Sequence, residues 1–348
     1  MKIVVLGGSG FIGRHVCEKL VSSGHSITVP TRRLSSAAHL LPLPRLQLLQ
    51  CNVHDSAQLA QLVAGHDVLI NLVAVLHGNA QRFDAVHVQL PNNMVAACKA
   101  GGVQRVVHVS ALGAAVDAPS MYQRSKAQGE AVLAAACAAG SAGKPLDVRI
   151  LRPSVVFGAE DKLLNLFAGL QKMAPLMPLA GADTQFQPVW VEDVAQAVLQ
   201  LATTDHLRAN TPAHSPANLP ANLPTNAGAT QAGSTAVNPA IYEACGPQVL
   251  TLRDLVQLAG RCVGAQRPVL PLPAPLARVQ AWVMEHLPGE PLMSRDNLDS
   301  MRVPNIASGQ QPGLAQLGIT PSSITAIAPT YLAAARTMDQ YRKGHSGR

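Results

Sequence analysis

"KIVVLGGSGFIG" occupies residues 2–13, and the order of its parts decides the fold. Ile3 to Leu6 form an unbroken apolar run of β type, as expected of a strand covered on both faces. Gly7, Gly10 and Gly13 follow as G-x-x-G-x-x-G, and "FIGRHVCEKLVSSG" then shows a helical pattern that ends at Gly24. Such a turn needs glycine where φ is positive and where bare backbone N–H groups must face a pyrophosphate, and the helix N-terminus adds partial positive charge. Alone, the glycines are weak evidence. Between a first strand and a first helix they read as a dinucleotide turn, with a ligand-free tight turn as the alternative. Working outward, "SITVP", "DVLINLVAV", "RVVHVSA" and "DVRILRPSVVFG" read as further strands, and "LPNNMVAACKAGG" as a helix. The alternation implies an α/β fold, a Rossmann-type doubly wound parallel sheet with a smaller C-terminal substrate-side α/β region.

The 348 residues allow about two domains or one enlarged one. The pattern breaks after Asp205. Residues 207–240 are low complexity, contain "PANLPANLP", and read as a disordered insert. Regular sequence resumes at "IYEACGPQVLTLRDLVQLAG", a strand and then a helix with Thr251 as N-cap and Asp254 at N3. The expected organisation is a dinucleotide-binding domain over 1–158, to which 186–204 return, and a smaller region from 159–185 and 241–340. Inside the latter, "APLARVQAWVMEHL" has apolar residues at helical spacing. The reading taken is a helix packed on its own domain, in preference to one facing a membrane.

Hydrophobic residues make up 48% of the chain and charged residues 14%, with a net charge of +7. A basic balance suits nucleic acid, an anionic membrane surface or anionic small molecules. No dense basic run precedes "YRKGHSGR", and five Phe, four Tyr and two Trp show no interleaving with basic residues, so nucleic acid is not expected. Cys17, Cys51, Cys98, Cys137, Cys245 and Cys262 form no C-x-x-C pair and have no histidine at metal spacing. They read as reduced, buried thiols in a cytoplasmic chain, with no metal expected. The first apolar run is too short for a signal peptide, and the longest, "VLINLVAVL", is too short to cross a bilayer. Peripheral attachment at the inner membrane stays open.

Two more stretches carry chemistry. "VPTRR" ends the second strand with Arg32 and Arg33 where a carboxylate selecting NAD would stand. Arginine suits a 2′-phosphate, which favours NADP(H) over NAD(H), with two solvated surface arginines as the alternative. "SMYQRSK" places Tyr122 and Lys126 four apart, on one face of a helix.

"GGSGFIG", "NLVA", "HVSA", "YQRSK", "LRPSVVFG" and "VWVEDVAQAV", in that order, resemble the extended and atypical short-chain dehydrogenase/reductase superfamily, of the NAD-dependent epimerase/dehydratase type. "FQPVWVEDVAQAV", "YEACGPQVLTLRDLV", "LPLPAPLARVQAWVMEHLPGEPL" and "LGITPSSI" resemble bacterial relatives of the Rossmann-type accessory subunit of respiratory complex I. The likeness covers most of the chain outside the insert. It implies that Gly7, Gly10, Phe11, Ile12 and Gly13 line the pyrophosphate turn and that Arg32 and Arg33 face the 2′-phosphate. Asn52 and Val53 would lie beside adenine, with Asn where Asp is usual. Val73 and Ala74 would underlie the ribose, Pro153 and Ser154 would flank the nicotinamide, and Asp193 would cap a helix. Tyr122 and Lys126 match the superfamily's Y-x-x-x-K. There Lys126 holds ribose and, with the nicotinamide charge, lowers the phenol toward neutrality. Ser110 is the candidate hydroxyl that polarises a substrate carbonyl, but the usual place is one or two residues later, where Ala111 and Leu112 stand. Ser120 is a possible substitute.

Two functions follow. One is an NADP(H)-dependent oxidoreductase acting on a small carbonyl or quinone-like substrate. The alternative is a non-catalytic NADPH-holding accessory or assembly protein, associated with a respiratory complex. A nucleotide-sugar epimerase fits less well, because sugar-diphosphate contacts are not evident between Gly158 and Gln185.

Overall fold

A computed structural model describes residues 1–137, 145–205, 238–286 and 293–333. The expected insert lies outside these residues except for its last three positions. The chain runs β1 (Lys2–Leu6), α1 (Phe11–Ser22), β2 (Ser26–Thr31), β3 (Leu46–Gln50), α2 (Ser56–Val63), β4 (Val68–Asn71), α3 (Ala80–Asp84), a π-helical turn (Ala85–Gln89), α4 (Leu90–Gly101), β5 (Arg105–Val109), α5 (Met121–Cys137) and β6 (Asp147–Pro153). Then come β7 (Val156–Phe157), α6 (Lys162–Met173), β8 (Met177–Leu179), β9 (Gln185–Phe186), β10 (Val189–Trp190), α7 (Val191–Thr203), β11 (Ala240–Ala244), β12 (Leu250–Thr251), α8 (Leu252–Val263), β13 (Val269–Pro271), α9 (Ala274–Glu285) and α10 (Arg295–Ser300).

Seven strands form one sheet in the order β11-β6-β5-β4-β1-β2-β3, every pair parallel. The chain leaves β1 toward β2 and returns on the other side as β4, so a crevice opens at the carboxyl ends of β1 and β4. β1 shows how sequence specifies the layers. Ile3 and Val5 enter a core with Val16, Leu20 and Val198, on the side of α1 and α7. Val4 and Leu6 enter a second core with Leu59, Met94 and Leu133, on the side of α2, α4 and α5. The period of two sends alternate side chains to opposite faces, and each fully buried one stabilises the fold by about 1.5–3 kcal/mol.

A third core joins α6, α8 and the helical residues 324–333 through Phe167, Leu255, Val256, Ile324 and Ala328. Thr251 and Asp254 form a reciprocal capping box on α8, as their spacing predicts. One expectation needs correction. Strand β11, expected in the smaller region, is the seventh strand of the main sheet, pairing Ala240–Ala244 with Arg149–Pro153. It closes the β6 edge, whose backbone groups would otherwise be unpaired. Helix α9 packs on the body through Ala277 and Ala281 and turns Leu276, Val279, Trp282 and Val283 outward. Short side chains let it approach closely, so its large ones are left outside.

The π turn is pressed against α5. A Cβ at Gly129 would lie 2.1 Å from the carbonyl oxygen of His87, so no side chain fits there without moving one backbone off the other. Gly129→Ala is expected to lower the unfolding free energy by about 3 kcal/mol, the upper end of ordinary overpacking, measured as a shift of the urea midpoint at unchanged m-value.

Candidate dinucleotide and active site

The first turn lies at the mouth of the crevice. Gly7 has φ +79°, and a Cβ on it would sit 3.1 Å from the backbone of Leu72 at the end of β4. A Cβ on Gly13 would lie 2.2 Å from the Gly7 carbonyl oxygen, so only glycine lets α1 start this close to the turn. Gly10 is the N-cap of α1, with no side-chain cap and no acid in the first turn. That leaves the positive end of the helix open to an anion. The Phe11 ring lies against Gly158, and Arg14 pairs with Glu160, so the loop after β7 crosses the start of α1.

At the end of β2, Thr31 Oγ1 donates to the Arg33 carbonyl (3.0 Å), as does Ser36 Oγ (2.7 Å). Arg32 and Arg33 are exposed, and among the described residues neither guanidinium has a hydrogen-bond or ion-pair partner. Burial, then the charge of Arg32, holds His54 below its ordinary pKa. Asn52 Oδ1 accepts the His54 N–H (3.2 Å). Val53 and Val73 pack partly against the second core, and Ala74 is exposed.

Below the crevice lies a buried polar cluster. Asn71 Oδ1 accepts the Val73 N–H (3.0 Å), so its Nδ2 donates to His108 Nδ1 (3.1 Å). His87 Nε2 accepts the Val75 N–H (3.2 Å), which puts its proton on Nδ1, donated to Ser125 Oγ (2.8 Å). Ser125 in turn donates to the Tyr122 carbonyl (2.8 Å). The His87 ring meets Phe83 stacked and Tyr122 edge-on. Burial, then the charge of Lys126, lowers His87 to about 3 and holds His108 well below its usual range, so both are neutral.

Tyr122 and Lys126 lie on α5 as their spacing predicts. Lys126 is 1% exposed, and its Nζ donates to the Val109 carbonyl (2.9 Å). Burial lowers it to about 8, against a smaller upward pull from Glu130. Tyr122 is half-buried, and among the described residues its hydroxyl has no hydrogen-bond partner. Desolvation pushes the phenol up to about 12. The N-terminus of α5 is capped from far along the chain: Asp296 Oδ1 accepts the Met121 N–H (2.6 Å) and Oδ2 the Tyr122 N–H (3.0 Å). Ser110 is 5% exposed, and among the described residues its hydroxyl has no partner.

The other candidate groups are already engaged. Ser120 is fully buried and caps α5, donating to Gln123 Oε1 (2.9 Å) and accepting the Gln123 N–H (3.1 Å), so its hydroxyl is not free to replace that of Ser110. Ser154 Oγ donates to Asn305 Oδ1 (2.6 Å), and the Pro153 carbonyl accepts the Leu112 N–H (2.9 Å). Asp193 does not cap α7. It lies in the first turn and accepts from the Ser322 N–H (2.7 Å), tying a distant loop to that helix.

A model of the NAD-dependent epimerase/dehydratase family matches residues 3–211, more than half of the chain. The chain belongs to that family. Among curated relatives, the mitochondrial "NADH dehydrogenase [ubiquinone] 1 alpha subcomplex subunit 9" of Mus musculus is 29% identical over 92% of this chain and 76% of its own. That of Arabidopsis thaliana is 25% identical over 98% and 78%. The "NADH-ubiquinone oxidoreductase 40 kDa subunit" of Neurospora crassa is 22% identical over 97% and 80%. In fold the chain is similar to a dTDP-glucose 4,6-dehydratase from Streptomyces venezuelae solved with NAD and TYD bound, with a TM-score of 0.69 at 21% identity over 98% of each chain.

The residues at the crevice fit the dinucleotide of the epimerase/dehydratase family. The bare turn and uncapped helix suit a pyrophosphate, the unpaired guanidiniums suit a phosphate, and the orphaned Ser110 hydroxyl lacks only a partner. His87 and Asp296 were not legible beforehand. His87 owes its place to a π turn, and Asp296 lies 174 positions from its nearer partner in sequence.

Lys126 carries a stability cost. Its folded pKa of about 8 lies below the ordinary lysine value of 10.5, so the unfolded chain binds the extra proton between those values. Stability therefore rises with pH across that window and is lowest below pH 8. Lys126→Met should raise the thermal midpoint at pH 7, with the gain shrinking toward pH 10. Thermal melts at the two pH values check this.

Proposed function

We propose that the protein holds NADP(H) as a resident cofactor and serves as an accessory protein of a respiratory complex, at the cytoplasmic face of the inner membrane. One observation carries this reading. Burial raises the Tyr122 phenol, and the Lys126 ammonium, which in the family's pair would lower it, spends one of its donors on the Val109 carbonyl. The site is thus equipped to bind and poorly equipped to move a proton near neutral pH. The relatives at 25–29% identity, subunits of an NADH dehydrogenase, support the partner class. Among the described residues no helix is long and apolar enough to cross a membrane, which fits a peripheral position.

In this reading the first turn and α1 bind the pyrophosphate, Lys126 binds ribose hydroxyls, and Arg32 or Arg33 pairs with the 2′-phosphate. A charged hydrogen bond of that kind is worth roughly 1.5–3 kcal/mol, or about one to two decades in affinity. NADPH should therefore bind 10- to 100-fold more tightly than NADH, and the Arg32→Ala, Arg33→Ala double variant should bring NADPH to the NADH level. Calorimetric titration of both proteins reads the difference. Equal affinities in the unmutated protein would remove the 2′-phosphate contact.

A second reading, an oxidoreductase on a small carbonyl or quinone-like substrate, is favoured by the buried, unpartnered hydroxyl of Ser110 beside an intact Tyr122–Lys126 pair. The bound dinucleotide would supply the hydride. Tyr122 would give its proton to the substrate oxygen, Ser110 would polarise that oxygen, and Lys126 would lower the phenol. The two readings part on one measurement. If the cofactor is only held, NADP⁺ added at pH 9 produces no tyrosinate difference absorbance, and no carbonyl or quinone in a broad panel is reduced. If it turns over, tyrosinate appears, and Tyr122→Phe lowers the rate by roughly 10²–10⁴-fold while leaving NADPH affinity intact.

A further inference from the structure

Helix α9 is amphipathic in an inverted sense. Ala277 and Ala281 face the body, while Leu276, Val279, Trp282 and Val283 are 45–58% exposed. At 100° per residue these four span an arc of about 120° on the side away from the body. Leu270, in the strand just before the helix, is also exposed. Solvent-facing apolar residues scattered singly need no explanation, but a continuous stripe containing a tryptophan marks a contact surface.

The charges around the stripe are layered. Arg278, Arg295 and Arg302 are 59–62% exposed, whereas their partners Glu285 and Asp299 are 20% and 33% exposed. Asp296 is buried, spent on the N-terminus of α5. The guanidiniums thus form the outer layer and the carboxylates the inner one. From outside, the surface is an apolar strip with a cationic rim. Glu285 accepts from both the Arg295 N–H (2.7 Å) and Arg295 Nε (2.8 Å), fastening the end of α9 to the start of α10, so the strip is held in place before anything docks.

We propose that α9 lies flat on an anionic lipid surface, with Trp282, Val279, Val283 and Leu276 in the headgroup–acyl boundary and the three arginines at the phosphates. Tryptophan and arginine suit that boundary because each has an apolar body and a polar tip. A helix of 12 residues is about 18 Å long, too short to span a bilayer, so it docks in the plane. An apolar centre with an arginine-bearing polar rim also suits a protein partner; the outer layer of three guanidiniums and the chain's net charge of +7 favour an extended anionic surface. The inference deepens the membrane-side placement proposed above and gives it an address on the molecule.

The test uses the full chain with extruded vesicles of zwitterionic lipid alone or with 30% anionic lipid, read by co-sedimentation and by Trp282 fluorescence in a Trp190→Phe background. The expected result is binding to the anionic vesicles with a blue shift of Trp282. Val279→Ser with Val283→Ser should lower partitioning about 30-fold, two exposed apolar side chains being lost to the interface. Arg278→Gln with Arg302→Gln should cost about fivefold per residue at low salt and little on zwitterionic lipid. An unchanged far-UV circular dichroism spectrum and thermal midpoint show that the variants are folded whether or not NADPH binds, which keeps this result separate from the cofactor reading. No vesicle binding by folded protein would overturn the proposal. So would a concentration-dependent dimer abolished by Val279→Ser with Val283→Ser, since the strip would then be covered by a second copy.

Discussion

A methyl group has no room between Gly13 and the carbonyl oxygen of Gly7, and that exclusion fixes where the first helix begins. With α1 starting this close to the turn, its uncapped N-terminus points into the space that the sheet leaves where the strand order reverses. Gly7 in turn abuts the end of β4, so the turn, the helix and the far wall of the crevice are positioned by the same close contact. The loop after β7 then crosses the start of the helix, bringing the smaller region to the mouth of the same crevice.

The polar cluster below the crevice is costly. Two neutral histidines and a lysine lie within a few residues' packing of each other, and burial lowers the charge-bearing tendency of all three. Hydrogen bonds to backbone groups, not ion pairs, hold them: Val75 for His87, Val109 for Lys126, and Asn71 as an intermediary for His108. Such a cluster sets the shape and polarity of the crevice floor, and partial satisfaction of buried polar groups is a mark of sites that await a ligand. Among the described residues, the Ser110 hydroxyl is the group left without a partner.

Local features were legible in the sequence. The glycine turn, the strand–helix alternation, the Thr251 capping box and the four-residue spacing of Tyr122 and Lys126 all depend on neighbours within one or two turns of chain. What the sequence concealed depends on distant partners. Nothing near Asp296 announces that it caps α5. Nothing near Ser154 announces that Asn305 takes up its hydroxyl. The assignment of β11 to the smaller region followed position along the chain, whereas its pairing follows the open edge of β6. For α9 the helical period revealed a stripe but could not reveal which side of it met the body, because Ala277 and Ala281 are small enough to be overlooked beside Trp282.

Asp296 also makes the two parts of the molecule mechanically continuous. Its helix is fastened to α9 at one end by Glu285 and to α5 by its own carboxylate, so a displacement of the outer helix has a short, polar route to the backbone of Met121 and Tyr122. One carboxylate thus serves two ends: it satisfies two backbone donors at the start of α5 and holds the α9–α10 pair against the helix that carries Tyr122 and Lys126.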